Sequence, residues 1–595
     1  MTLVQVGAAP VISVKAEWGT PFTVKSLTSV RTGDSAAGST TKITIDGSVG
    51  WRAGTLIKVF SNDPIPGARS ASGDRVARSG EYAIVASSSD GEVLTMAPLR
   101  QKHSDNTRVV EVSRRTADIR GFTVEGRSPT AKVVGAPLIY LAGLLAPWVD
   151  DIRCISAHGP VIHMKSCYSF TVSRLDVAFA EDDAPRLLGY GVLDNCSAFG
   201  TVQNSTVRHA RHAYTDDAPP ISASSTDPHG YGSSYGNKVV ACSAVSPSRS
   251  GFDTHHPSEG TSFLGCSVSA AADDVAAFSL RGRNHRVIGC SAEDVGTGVR
   301  AFTEATRGGE SFGHIVQSFS ARTIRGAAVA ADINPTGHPS AGKLESRPVL
   351  TITGVTVDGV VNAIRARNAS VFVRDASISV TADQEGSSFV QNEGSDLYID
   401  DSSFRADVTA KWSPIASTAV EGRSVRLSLR NVAFQMSPSS MAQADTIFTG
   451  AAPRADLRAV TFSDLPPNGI GAVEEGSSLQ WETQSSDPRT PSLSSAAHKF
   501  SGDLASQMPE VWKSADAHVV VELSADSDRA SSVPLQAAQR QFQLLTLICA
   551  PESVALQLVG SPTAPLNTQS ETARSIQPGQ AVTLVWSSRG WTTTA

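Results

Sequence analysis

The stretch VVACSAVSPSRSGFDTHHPSEGTSFLGCSVSAAADDVAAFSLRGRNHRVIGC, residues 239–290, repeats a cysteine at a fixed interval. Cys242, Cys266 and Cys290 follow one another at 24 residues. Each cysteine stands in the same frame, with an apolar residue three positions before it and a small or apolar residue two positions after it. A constant interval of this length is typical of repeat architectures, in which each repeat packs on its neighbours.

The frame recurs on both sides of this stretch, for example in ADIRGFTV (117–124), TVSRLDV (171–177) and TITGVTV (351–357). Neighbouring central positions are separated by 21 to 37 residues, as expected for a short coil with loops of variable length. The central positions are Phe122, Ile152, Leu175, Ser205, Cys242, Cys266, Cys290, Phe319, Val355, Ala376, Ser402, Val432 and Val460.

These observations predict an all-β chain built around a right-handed, single-stranded parallel β-helix. Side chains at one position of successive coils stack along the axis, so small and β-branched residues recur at one depth. We expect the three cysteines to fill the core as small hydrophobic residues. A string of antiparallel sandwiches is the rival interpretation, but it needs a turn every 8 to 12 residues or so and gives no reason for a period of 24.

The ends of the chain have other patterns. Residues 1–115 are β-rich, and we expect them to cap the open first coil, since an uncovered sheet edge is prone to aggregation. The β-helix is predicted over 116–483, and QSSDPRTPSLSSAAH (484–498) has the composition of a linker. Residues 499–595 are predicted to form a small antiparallel β-domain that caps the helix or holds subunits together.

The composition excludes several classes of protein. The net charge of −6 over 595 residues lacks the positive excess that is typical of a nucleic-acid-binding protein. No run approaches 18 apolar residues, so no membrane span is predicted, and MTLVQVGAAPVISV lacks the positive start of a signal peptide. Seven cysteines, an odd number without CxxC spacing, argue against a disulfide framework. We expect no metal and no cofactor.

The candidate site follows from superposing the coils. Asp216 and Asp253 each lie 11 residues after a central position, Ser205 and Cys242. We therefore expect the two carboxylates to lie one above the other, about 4.8 Å apart, with one pKa raised by the other charge. The loop 217–236 begins beside Asp216. The expected substrate-binding residues around the pair are His209, Arg211, His212, Tyr231, Tyr235, His255, His256, Glu259, Arg281 and Arg283.

Other interpretations of this stretch stay open. An aspartate at the end of a strand often forms an Asx-turn, and a polar outer face is normal for an exposed sheet. A zinc site would need His255 and His256 together, but adjacent residues of a strand point to opposite faces.

In its architecture the chain resembles bacteriophage tailspike and tail-fibre proteins of the pectate-lyase-like β-helix superfamily. The resemblance covers nearly the whole chain, and GFDTHHPSEGTSFLGC (251–266) is similar to sequences of such proteins. It implies a homotrimer that binds, and often cleaves, a bacterial surface polysaccharide. It also implies contacts to other phage tail proteins through the N-terminal region, and a place in the virion after synthesis in the host cytoplasm.

Three functions fit this resemblance. In an endo-glycosidase, paired carboxylates act as acid and base or nucleophile: Asp216 with Asp253, or Asp253 with Glu304 at the wider spacing of an inverting enzyme. In a polysaccharide lyase, an arginine or histidine removes the proton beside a uronate carboxylate. In a spike that only binds glycan, the same groove holds sugar without cleaving it. The sequence favours the glycoside hydrolase.

Overall fold

The computed structural model describes residues 1–5, 9–31, 39–65, 75–126, 136–183, 187–303, 310–333, 348–381, 385–420, 425–463, 465–468, 471–474, 477–483, 498–501, 518–524, 531–534, 544–549, 556–559, 573–576, 581–587 and 590–594. The chain divides into two compact units. One comprises Met1–Thr28 and Thr41–Pro488, and the other comprises Ser29–Thr40 and Arg489–Ala595.

The chain begins with two short strands, β1 (Thr2–Val4) and β2 (Ile12–Lys15). A closed antiparallel barrel follows, in the strand order β3-β4-β7-β6-β5-β8. Its strands are β3 (Phe22–Arg31), β4 (Ser39–Ile45), β5 (Leu56–Pro64), β6 (Arg78–Ser89), β7 (Glu92–Thr95) and β8 (Arg108–Glu111). Apolar and polar residues alternate along these strands, so the side chains of Ile43, Ile45, Ile57 and Val59 point into the barrel core.

The long middle of the chain forms coils of short parallel strands. They are β9 (Asp118–Glu125), β10 (Ile139–Ala142), β11 (Trp148–Cys154), β12 (Ile162–Lys165), β13 (Thr171–Val177), β14 (Asp182–Asp183), β15 (Leu187–Leu188), β16 (Tyr190–Asn195), β17 (Thr201–Gln203), β18 (Thr206–Arg208), β19 (His212–Asp217), β20 (Lys238–Val240), β21 (Ser243–Val245), β22 (Phe252–Asp253), β23 (Ser262–Leu264), β24 (Ser267–Ser269), β25 (Ala276–Leu280), β26 (Gly282–Arg283), β27 (Arg286–Ile288), β28 (Ser291–Val295), β29 (Thr297–Phe302), β30 (Ser311–Phe312), β31 (His314–Gln317), β32 (Ser320–Asp332), β33 (Leu350–Thr353), β34 (Thr356–Arg367), β35 (Ser370–Arg374), β36 (Ser377–Val380), β37 (Ser388–Glu393), β38 (Asp396–Ala406), β39 (Ile415–Thr418), β40 (Arg426–Met436), β41 (Phe448–Gly450), β42 (Arg454–Phe462) and β43 (Ser478–Thr483). A 3-10 turn at Pro228–Gly230 and the short helix α1 (Pro438–Gln443) interrupt them.

Three stacks of parallel strands run along these coils, and this is the predicted β-helix. One turn of the repeat at the cysteines shows it: β20 pairs with β23, β21 with β24, and β22 with β25. We call the stack that contains β19, β22, β25 and β29 the third sheet, because it comes third in each coil.

The predicted register of the coils is confirmed. Ser243 pairs with Ser267, and Ser267 with Ser291, so the preceding cysteines stack directly on one another. All three are buried, and the backbone N–H of Cys266 lies 3.3 Å from Sγ of Cys290. The same alignment holds at both ends of the repeat, where Ile152 pairs with Phe122 and Ser402 with Val432.

A single left-handed residue precedes each of the thirteen central positions. It is Gly121, Asp151, Arg174, Asn204, Ala241, Gly265, Gly289, Ser318, Gly354, Asp375, Asp401, Asn431 or Ala459. One such residue bends the chain from the first strand of a coil into the second. Gly, Asn and Asp adopt this conformation most readily, which explains why they recur there.

The first coil differs from the expected boundary at residue 115. Strand β1 pairs in parallel with β9, and β2 pairs in parallel with β10. Strands β1 and β2 therefore belong to the β-helix, and the barrel is inserted between them and the rest of it.

The second unit contains β44 (His498–Ser501), β45 (His518–Ser524), β46 (Ser531–Pro534), β47 (Leu544–Cys549), β48 (Leu556–Val559), β49 (Ala573–Ile576), β50 (Ala581–Ser587) and β51 (Gly590–Thr594). One sheet has the order β44-β45-β47-β50-β51 and another the order β46-β48-β49. Pairs such as β47–β50 are antiparallel, but β45–β47 is parallel. The domain is therefore mixed, where the sequence predicted a purely antiparallel one.

Candidate functional site

The outer face of the third sheet carries the ionisable cluster. Tyr214, Phe252 and Phe278 pair in register and lie in the hydrophobic core, so they point inward. Because successive residues of a strand point to opposite faces, Thr215, Asp253 and Ser279 face outward. Asp216 faces inward.

The predicted stacking of Asp216 on Asp253 is therefore wrong. The strand partner of Asp253 is Thr215, and Asp216 instead pairs with Asp194. The reason is a difference in length between two equivalent segments. Arg208 pairs with Val245, and Thr215 pairs with Asp253. The segment from Arg208 to Thr215 spans seven residues, whereas the segment from Val245 to Asp253 spans eight. One extra residue moves a side chain to the other face of a sheet.

Asp216 supports the site from inside the coil. It is fully buried, and its Oδ1 accepts a hydrogen bond from the backbone N–H of His255 at 2.8 Å. Its Oδ2 lies 3.4 Å from the hydroxyl of Thr261. Burial, with the carboxyl of Asp194 beside it, holds the pKa of Asp216 well above its usual value. Asp216 thus fixes the backbone of His255 from inside the coil.

Asp253 is the charged centre of the outer cluster. Its Oδ2 lies 2.6 Å from Nη2 of Arg281, 3.5 Å from Nδ1 of His255 and 3.8 Å from Nε2 of His212. Burial alone would raise the pKa of Asp253, but Arg281, followed by the two histidines, holds it well below the usual range. The side chain of Asp253 is 3% exposed and that of Arg281 8%, whereas His255 is 22% exposed. His255 is therefore the member of the cluster that a substrate can reach.

Two aromatic groups and a second carboxylate complete the outer face. The rings of Tyr190 and His212 are stacked with centroids 5.5 Å apart. Burial lowers the pKa of His212 to about 4 and raises the pKa of Tyr190 to about 12. Asp217 follows the inward Asp216 and so faces outward, one coil before the position of His255. From strand spacing and rise, Asp217 and Asp253 are on the order of 8 Å apart.

The other predicted residues near the cluster take structural roles. Arg211 lies 2.9 Å from Asp182 at the rim of the cluster. His209 is exposed and has a left-handed backbone, so it forms the turn before β19. His256 is buried, with Nδ1 3.4 Å from the carbonyl oxygen of Glu310.

The expectation that Tyr231 and Tyr235 line a groove is wrong, because the barrel covers both. Tyr231 is fully buried, its ring packs on Phe60, and its hydroxyl accepts a hydrogen bond from Arg108 at 2.8 Å. Tyr235 is 4% exposed, with Arg100 stacked on its ring at 4.4 Å. The nearby His229 is also buried, against Trp18.

Glu259 and Arg283 lie outside the cluster as well. Glu259 forms ion pairs with Arg100 of the barrel and, at 3.3 Å, with Arg283. They belong to the contact between barrel and β-helix. Glu304 lies outside the described residues.

Sequence reasoning missed Tyr190 and Asp217. Asp217 could have been found from the apolar alternation in β19: once Tyr214 is placed in the core, the outward residues are Thr215 and Asp217. Tyr190 carries no such signal, because it reaches the cluster from the preceding coil.

Two general features bear on what the site holds. Within the described residues no group of three or more His, Cys, Asp or Glu side chains is arranged to hold a metal ion. In the same part of the chain, no helix has the length and apolar character needed to cross a membrane.

No protein-family model matches the sequence. Solved structures of similar fold include the tailspike gp49 of Pseudomonas phage LKA1, at 14% identity and a TM-score of 0.38, covering 74% of this chain and 64% of that one. A mutant tailspike of E. coli bacteriophage HK620 in complex with a pentasaccharide matches at 11% identity and 0.39, over 75% and 74%. The catalytic unit of a GH87 alpha-1,3-glucanase from Streptomyces thermodiastaticus matches at 12% and 0.33, over 79% and 98%.

Proposed function

We propose that this chain is a phage tailspike that binds a bacterial surface polysaccharide and cuts it within the chain. The observation that carries the proposal is the Asp253 cluster: a buried ion pair beside the partly exposed His255, on the outer face of a long β-helix. A regular parallel sheet offers an extended surface along which a polymer can lie. We further propose a homotrimer in the virion, attached to other tail proteins through its N-terminal region and made in the host cytoplasm.

Hydrolysis is the reaction that the outward carboxylates favour. Asp253 stays ionised, so it cannot protonate a leaving group, but it can hold His255 ready to take a proton from water. Asp217, on the preceding coil, then protonates the glycosidic oxygen. By register Asp217 lies opposite His255, so the acid and the base stand on neighbouring coils.

Lyase chemistry is the second candidate, and the contact of His255 with Asp253 favours it. An imidazole next to a carboxylate can remove the proton beside a uronate carboxylate as a general base. Elimination leaves an unsaturated sugar, which absorbs in the ultraviolet, whereas hydrolysis leaves a new reducing end without that absorbance. One digest of the host polysaccharide therefore separates the two reactions.

The test uses His255→Gln and Asp217→Asn, with polysaccharides of candidate host bacteria and size-exclusion chromatography of the products. Each variant should lose activity by about 10²-fold or more, the usual contribution of an acid or base. Asp176→Asn is the matched control, since Asp176 is an exposed carboxylate on the second strand stack, paired with Arg208. Wild-type rates in both variants would overturn the assignment of the site.

Binding without cleavage remains the third outcome. In that case the wild-type protein binds a host polysaccharide but leaves its size distribution unchanged over long incubation. That result would refute the enzyme and leave a receptor-binding spike.

A further inference from the structure

Between two and four coil steps beyond Asp253, the same outer face becomes rich in arginine. The outward positions follow one another in register as Arg300, Ala330, Arg365 and Gln391. A second outward row, two residues further along each strand, contains Phe302, Asp332, Arg367 and Glu393. At about 4.8 Å per coil, Arg365 lies roughly 19 Å from Asp253 along the sheet.

The carboxylates of this patch are already paired. Asp332 lies 3.0 Å from Nη2 of Arg300 and 3.6 Å from Nη1 of Arg367. Glu393 lies 2.6 Å from Nε of Arg367. Asp332 and Glu393 are therefore paired with Arg300 and Arg367. Neither of them forms an ion pair with the third guanidinium of the patch, that of Arg365.

Hydrogen-bond donors remain without acceptors on both sides of Ala330. Nε of Arg300 is buried and has no acceptor among the described residues. Within the same part of the chain, Arg365 forms no hydrogen bond or ion pair, although its side chain is half-buried. A donor that is shielded from water and unpaired costs free energy, and an anion would satisfy it.

Arg300 is also held in place. Its guanidinium stacks on the ring of Phe302 with 4.4 Å between Cζ and the ring centroid. Burial, and the charges of Arg300 and Arg367, lower the pKa of Arg365 from its ordinary value. The patch thus concentrates positive charge on a fixed scaffold, which is the arrangement that proteins use for planar anions.

We propose that Arg300 and Arg365 form a subsite for the carboxylate of an acidic sugar, so that the bound polysaccharide contains uronic acid. The subsite deepens the proposed function, on which it rests, by naming the substrate class. Its position fits a polymer that runs along the third sheet, with the reacting bond near His255 and an acidic residue held at Arg365.

The experiment is saturation-transfer-difference NMR with glucuronate as the probe and its neutral methyl ester as the matched ligand. Wild-type protein should transfer saturation to glucuronate and not to the ester. Arg365→Gln should weaken glucuronate binding at least tenfold, and Arg365→Lys should restore part of it. Arg458→Gln, at an exposed arginine paired with Asp456, should bind as wild type does.

Inorganic phosphate separates an acidic sugar from a free anion. Phosphate at the same concentration as glucuronate should leave the sugar signal in place. Complete displacement by phosphate, equal binding of the methyl ester, no signal with wild-type protein, or unchanged binding by a folded Arg365→Gln variant would each overturn the subsite. Circular dichroism checks that the variants fold.

The subsite and the reaction can fail independently. His255→Gln should lose depolymerisation yet keep glucuronate binding, because His255 lies four coils away. Binding that depends on Arg365 in a protein without any depolymerising activity would support the subsite and refute the enzyme. Depolymerisation of a neutral host glycan by a protein that does not bind glucuronate would support the enzyme and refute the subsite.

Discussion

Asp216 and Asp253 show how one residue of register decides the surroundings of a side chain. Asp216 points into the coil beside Asp194, where burial raises its pKa, whereas Asp253 points outward onto Arg281, which lowers its pKa. The same substitution should therefore have different effects at the two positions.

Asp216→Asn is isosteric and keeps an oxygen that can accept the hydrogen bond from the backbone N–H of His255, so we expect it to cost less than about 1 kcal/mol in the free energy of unfolding. Asp253→Asn leaves Arg281 buried without its counter-charge, and breaking a buried pair costs about 3–5 kcal/mol. Because Asp253 is buried, Asp253→Asn is not a harmless surface change. Urea denaturation of both variants checks this, and equal midpoints would contradict it.

The cysteines should be inert in the native protein. The six described cysteines are free and buried, and burial raises the pKa of Cys154, Cys167 and Cys196 to about 12. Because the thiolate is the reactive form, we expect these six to react with a thiol reagent only after unfolding.

The measurement compares the rate of reaction in buffer and in denaturant. In denaturant all seven cysteines of the chain should react at once. In buffer at most one thiol, that of Cys549, should react quickly. Fast labelling of two or more thiols in the native protein would contradict the buried stack.

At this scale the sequence predicts inward positions well and outward ones poorly. An inward residue must match its neighbours in size and polarity, so Cys242, Cys266 and Cys290 reveal their own alignment. The outer face has no such constraint, and loop length between strands is invisible in the pattern. The pattern therefore points to Asp216, although Asp217 is the residue that faces outward.

At the scale of the element, a ladder of polar side chains lines one turn of the coils. Asn237, Thr261, His285 and His314 occupy equivalent positions, because the residues after them pair in register. Nδ1 of His285 accepts a hydrogen bond from the backbone N–H of Thr261 at 3.1 Å, and Nδ1 of His314 accepts from that of His285 at 3.2 Å. Protonation of either ring would remove the acceptor.

The ladder makes stability depend on pH. Burial lowers the pKa of His285 from 6.5 to about 4, and it also lowers the pKa of His314 well below 6.5. The unfolded chain thus binds more protons than the folded one between these values, so stability falls as the pH falls from 6.5 towards 4. Buried His163, His212 and His229, with pKa values of about 4, act in the same direction.

Two buried carboxylates oppose this effect. Burial raises the pKa of Asp194 to about 6 and that of Asp216 well above its usual value, so both favour the folded state at acid pH. With five histidines against two carboxylates, we expect the urea midpoint to fall between pH 7.5 and pH 5. His285→Asn, which places at this rung the residue type found at Asn237, should make the dependence shallower. A midpoint that is constant or rises on acidification would contradict the prediction.

Elements of the β-helix could be predicted because each coil repeats its neighbour's pattern. The loop 217–236 could not, since nothing in its composition distinguishes a groove wall from a surface covered by another domain. The sequence assigns Tyr231 and Tyr235 to sugar binding, but they pack against the barrel through Phe60 and Arg100.

At the scale of the whole molecule, the second unit is the proposed trimerisation domain. Its sequence alternates apolar residues, as in Val554, Leu556 and Leu558 and again in Val582, Leu584 and Trp586. We expect deletion of residues 497–595 to give monomers or aggregates, because it removes these apolar strands. Light scattering measures the mass, and a truncated protein that remains a trimer would refute this role.

The insertion of the barrel between β2 and β9 has a consequence for synthesis on the ribosome. Thr2 pairs with Thr123, and Ile12 pairs with Ile139. The barrel can close as soon as residue 111 has emerged, whereas β1 and β2, which are made before it, must wait for partners more than a hundred residues later. Contacts between such distant segments form slowly. Strands β1 and β2 therefore stay unpaired while the barrel closes, and we expect them to be a target for a chaperone during translation.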